Sequence, residues 1–84
     1  MLPAIFTLST VAQMTELKTK IKEFRATRGM SQEELARIVD VRRETIVRLE
    51  KGLYNPSLML AMDIAKVFGV PVEEMFWFEP EQDE

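Results

Sequence analysis

"SQEELARIVDVRRETIVRLEKG", residues 31–52, has the pattern of two short helices joined by a tight turn. Ser31 followed by Glu34 three positions later reads as a capping box. In that device the hydroxyl accepts the N–H of the third helical residue, and the carboxylate reaches back to the cap's own N–H. Apolar residues follow at Leu35, Ala36, Ile38 and Val39, which predicts a helix ending near Asp40. At Asp40 the chain must turn sharply, and a short polar side chain tolerates positive φ there. The next helix is expected from about Arg43 to Lys51, with Ile46 and Leu49 inward and Gly52 closing it. Ala36 is small enough for the two helices to cross, while Val41 plugs the turn. With that face buried, Arg42, Arg43, Glu44 and Arg48 must point outward, with Val47 at the margin of the set.

Working outward, a helix over about Lys20–Arg28 places Ile21 and Phe24 on one face and stops at Gly29. Downstream, "YNPS" (54–57) reads as a turn, because the proline disfavours helical geometry at Asn55. Ser57 is the expected cap of a helix over "LMLAMDIAKVFG" (58–69), with Leu58, Ala61, Ile64, Ala65 and Phe68 as its core stripe. Pro71 opens a short fifth helix through about Met75. Phe24, Phe68 and Met75 read as core. Three consecutive aromatics in "FWFEP" (76–80) suit a strand better than another helical turn.

Eighty-four residues with 46% hydrophobic content suit one domain with a single small core. Without Cys or His, thiolate and imidazole chemistry and nearly all transition-metal sites drop out. An enzyme would need a carboxylate constellation, and the acids are scattered. No cofactor and no metal are expected.

"MLPAIFTLSTVAQM" (1–14) carries no charged side chain, so it lacks the basic region of a secretory signal. It is also short of the roughly 20 apolar residues that cross a bilayer. A membrane partner is not expected, and a cytoplasmic location is. Ile5, Thr7, Thr10 and Val11 are β-branched, which suits a short strand or a partner-binding segment. A domain that starts near Met14 is the other reading. The organisation expected is an apolar extension (1–14), one domain (15–80) and an acidic tail (81–84).

Charge is polarised along the chain. Residues 17–51 hold ten Lys and Arg against six Asp and Glu, whereas residues 52–84 hold only Lys66 against seven acids. The overall net charge of -3 therefore says little about the partner. Cations at the start of an exposed helix fit the DNA major groove, where arginine bonds guanine O6 and N7 bidentately.

The motifs "RATRGMSQEELA", "VRRETIVRLEKG", "YNPSLMLAMDIAKVFGV" and "VEEMFWFEPE" together resemble the lambda-repressor-like, Cro/CI-type (XRE) helix-turn-helix family over roughly residues 18–78. The last two resemble especially the compact dimeric repressors of the cytolysin-regulator type. That resemblance implies a mainly all-α, five-helix fold, with 15–19 and 76–80 paired as a small antiparallel sheet. It further implies a transcriptional regulator, a repressor, that binds a palindromic double-stranded DNA operator as a homodimer with the third helix in the major groove. Arg43, Glu44 and Arg48 stand where the family reads bases. Gln32 stands where it bonds phosphate, with Arg42 and Asn55 as further phosphate contacts, and Arg25–Glu50 matches a structural salt bridge. Two positions depart from the pattern. Asp40 replaces the usual Gly, and Arg42 stands where Ser or Thr often caps the helix, so Arg42 is placed for phosphate. Apolar residues left over from the core put the dimer interface at Leu60, Val67, Val72, Phe76, Trp77 and Phe78, with Met62 beside them. Two other readings use the same fold: an antitoxin whose residues 1–14 mask a toxin, and a protein-interaction module.

Overall fold

A computed structural model describes residues 16–79, so the readings of 1–14 and 81–84 lie outside the described residues. In chain order the elements are β1 (Glu16–Thr19), α1 (Ile21–Thr27), α2 (Gln32–Ile38), α3 (Arg43–Glu50), α4 (Leu58–Phe68), α5 (Val72–Met75) and β2 (Phe76–Glu79). Five helices and a two-stranded sheet are therefore the architecture of the described residues, as expected. Helix ends shift by about a residue from the sequence reading, which is ordinary fraying.

The capping box at Ser31 forms in both directions. Its hydroxyl accepts from the Glu34 amide at 2.9 Å, and its own amide donates to Glu34 Oε1 at 3.4 Å. Asp40 adopts φ 62°, the left-handed conformation its position calls for. The Val41 amide then donates to Ala36 O at 2.9 Å and closes the turn into α3. Ser57 caps α4 by accepting from the Leu60 amide at 3.1 Å. At the other end of α4, Arg28 donates to the carbonyls of Val67 and Phe68 at 2.8 and 3.2 Å. A cation on those orphan carbonyls also opposes the negative end of the helix dipole.

β1 pairs antiparallel with β2 in the register Glu16↔Glu79, Leu17↔Phe78, Lys18↔Trp77 and Thr19↔Phe76. Strand alternation puts Leu17, Phe76 and Phe78 on the face toward the core and Trp77 with Lys18 on the other. Gly52, at φ +73°, lies so close to β1 that an added Cβ would meet the Leu17 carbonyl oxygen at 2.7 Å. The sheet is thus seated directly on the turn that ends α3.

Ile21, Leu35, Ile46, Leu49, Ile64 and Met75 are the large side chains sealed at the centre. Phe24 is only half-buried, though it packs on Phe68 with ring centroids 5.6 Å apart. Three expectations need correcting. Leu58, expected in the core, is exposed, because the buried stripe of α4 is Leu60, Ala61, Ile64, Ala65 and Phe68. Leu58 sits about a quarter-turn round the helix from that stripe. Leu60, expected at a dimer surface, belongs to the same stripe and is buried in its own chain. Phe76, also expected there, is buried because it opposes Thr19 on the inward face of the sheet.

Candidate nucleic-acid interface

The outward face of α3 carries Arg43, Glu44 and Arg48, with Arg42 at its N-cap position; all four are exposed. Ile46 and Leu49 are fully buried on the opposite face, so the orientation of these charged residues is fixed by the core. Arg42 has extended backbone geometry and makes no capping bond. A guanidinium has only donors, so it cannot satisfy the free amides of the first turn.

Arg43 is tied back to the interior through a chain of polar contacts. One of its terminal nitrogens, Nη2, donates to Gln32 Oε1 at 3.3 Å. Gln32 Nε2 in turn donates to Glu50 Oε1 at 3.0 Å. Glu50 is gripped at both oxygens by Arg25, with Nε at 2.7 Å and Nη2 at 3.1 Å, while Arg25 Nη1 holds the Met30 carbonyl at 2.8 Å. The Arg25 and Glu50 side chains are only 14% and 7% exposed. A two-point guanidinium–carboxylate contact at that depth fixes direction as well as distance. The amide of Gln32 can relay this order because it accepts at one end and donates at the other. Sequence reading found each of these four residues, yet not that they form one network. Gln32 stands 11 positions from Arg43 and 18 from Glu50, beyond any local pattern.

The remaining expected site residues lie apart from this network. Asn55 is exposed at the rim of an apolar groove of about 310 Å³ that Leu17, Pro56, Leu58, Ala61, Val72 and Phe78 also line. On this flank of α4 Leu58, Met62 and Phe78 are 72%, 48% and 44% exposed, while Met59 is exposed on the other flank. Trp77 is half-buried, with the Lys20 ammonium 5.9 Å from its ring centroid and its Nε1 donating to Glu79 Oε2 at 3.1 Å. Val67 faces a different hollow, with Ile38, Val39, Asp40, Asp63 and Lys66. Among the described residues no group of three or more acidic side chains is placed to hold a metal ion, and no helix is long and apolar enough to cross a membrane.

A short turn between α2 and α3, with three arginines on the exposed side of the second helix, defines the class of DNA-binding helix-turn-helix proteins. The helix-turn-helix family model matches residues 21–75, and the chain belongs to that family, of Cro/CI (XRE) type. An HTH-type transcriptional regulator of Archaeoglobus fulgidus is 61% identical over 66 residues, covering 79% of this chain and 94% of that one. The cryptic phage CTXphi transcriptional repressor RstR of Vibrio cholerae is 37% identical over 57 residues, covering 68% of this chain and 51% of that one. Among solved structures, the biofilm master regulator SinR in complex with DNA superposes with a TM-score of 0.58 and 31% identity, covering 64% of this chain and 87% of that one. The chain is accordingly a DNA-binding transcriptional regulator of a non-enzymatic family.

Proposed function

We propose that this regulator is a repressor that binds a palindromic operator as a homodimer, with α3 of each copy in the major groove. The observation that carries the reading is Arg43. It is exposed, yet hydrogen-bonded through Gln32 to the shielded Arg25–Glu50 pair. A guanidinium already restrained loses less rotamer freedom when it docks on guanine O6 and N7. Arg48 serves as the second guanine reader, and Glu44 accepts from a cytosine amino group. Arg42 pairs with phosphate, and Gln32 keeps one amide N–H for the same purpose. The relationship to RstR, a repressor, supports repression as the outcome, and the relationship to SinR, solved on DNA, supports duplex DNA as the ligand.

Pairing follows from energetics. Each bidentate base contact supplies only about 1–3 kcal/mol of discrimination, whereas a usable specificity ratio over genomic competitors requires about 4–10 kcal/mol. Two copies across a twofold axis double the readout and set half-sites about 34 Å apart. The flank of α4 with Leu58, Met62, Val72 and Phe78 is the surface we assign to the contact, since α2 and α3 must stay free. The test is a set of alanine variants on duplexes selected from random sequence. Arg43→Ala and Arg48→Ala should each relax preference at one base pair per half-site, while Arg42→Ala weakens all duplexes alike. Equal, sequence-blind losses from all three would remove Arg43 and Arg48 from the readout.

A further inference from the structure

We propose that Val47 is a further specificity-determining residue, whose methyl groups pack on the 5-methyl of a thymine, an assignment that rests on the major-groove reading of α3 given above. Six valines lie among the described residues, and all six are half-buried. Val39, Val41, Val67, Val70 and Val72 pack against the core, whereas Val47 does not. Nor does the helix call for valine at this point. Val47 lies inside α3, where a β-branched side chain is less favourable than alanine, leucine or lysine. Neither the core nor the helix therefore accounts for it.

Its place around the helix supplies the reason. At about 100° per residue, Val47 comes about 40° from Arg43 and about 60° from Glu44, on the arc that runs from Arg43 to Arg48. Arg43, Glu44 and Arg48 are exposed and frame it, and Val47 is the one apolar side chain on that arc of α3. Charged side chains read the hydrogen-bonding edges of bases, and the apolar feature of the major groove is the C5-methyl of thymine. Contact between two methyl-bearing groups leaves no polar atom unpaired. A valine in a helix also keeps one strongly preferred rotamer, so it loses little freedom when it docks. Val47 stands one turn, about 6 Å, beyond Arg43 along the helix. That spacing places the thymine within about two base pairs of the guanine that Arg43 reads.

Replacing thymidine by deoxyuridine tests this, because the exchange removes the 5-methyl and nothing else. Affinity of the full chain is measured on the selected operator with each thymine exchanged in turn. One thymine per half-site, beside the guanine whose preference is lost in Arg43→Ala, should weaken wild-type binding about 4-fold when it loses its methyl, the worth of one buried methyl group. Val47→Ala should bind the thymine and uracil duplexes equally, while it keeps the wild-type preference at the guanines. Alanine is the better helix former, so the variant retains the fold. A scan in which no thymine depends on its methyl, or a dependence that persists in Val47→Ala, overturns the proposal. If Arg43→Ala and Arg48→Ala still lose guanine preference beside a flat scan, the role of Val47 alone falls. Sequence-blind losses from both arginines together with a flat scan overturn the placement of α3 as well.

Discussion

Arg25 and Glu50 join α1 to α3 and, through Gln32, reach the arginine proposed to read DNA. Both side chains are largely withdrawn from water, and Glu50 accepts from Arg25 at two points as well as from Gln32. Removing one partner leaves the other charge shielded and unpaired, so Arg25→Ala should lower the unfolding free energy by about 3 kcal/mol, as read from urea denaturation. Gln32→Ala should behave differently. It severs Arg43 from Glu50 but leaves the Arg25 contact intact, so the fold should lose no more than about 1 kcal/mol. Its operator affinity should fall further than its affinity for random duplex, because the order imposed on Arg43 is lost as well as a phosphate contact. A loss equal on both duplexes would reduce Gln32 to a phosphate ligand. All four side chains were legible as candidates from the sequence. Their assembly was not, since hydrogen bonds between residues 11, 18 and 25 positions apart depend on how α1, α2 and α3 cross.

At the level of elements, the helices were easiest to read where local chemistry is self-contained. The capping box at Ser31, the left-handed Asp40 and the Ser57 cap all depend on residues within a few positions of one another, and all are present. Errors arose where two elements share a face. Leu58 looked like the start of a stripe and Leu60 like a leftover, because the phase of α4 is set by what it packs against rather than by its own apolar residues. Likewise Phe76 could be assigned inward only once its partner across the ladder was known to be Thr19. The seat of β1 on the α3 turn gives a test of the sheet. Gly52→Ala combines a left-handed backbone with a Cβ 2.7 Å from the Leu17 carbonyl oxygen, and should cost at least ~2 kcal/mol. In hydrogen exchange, the amides of residues 76–79 should lose protection in this variant before those of α4. Uniform loss across both would mean that the sheet is not a separate unit.

For the whole molecule, polarity of charge and of exposed apolar surface point in different directions. Cations cluster on the outward side of α3, whereas the uncovered Leu58, Met62 and Phe78 lie along α4 and β2. The first is the surface proposed to meet DNA, and the second the one proposed to meet a second copy. Because Leu58 is 72% exposed, Leu58→Asp should leave the fold intact and yield a monomer by sedimentation, with loss of preference for palindromic over single half-site duplexes. A Leu58→Asp protein that still forms dimers would move the interface elsewhere. The claim on which the account turns is that α3 reads sequence through an arginine fixed by the protein interior. It is tested most directly by measuring the affinity of the wild-type chain and of Arg43→Ala for the selected operator and for a scrambled duplex at the same salt concentration. Arg43→Ala should lose about 1–3 kcal/mol per half-site on the operator and far less on the scrambled duplex. Equal losses on the two duplexes would contradict it.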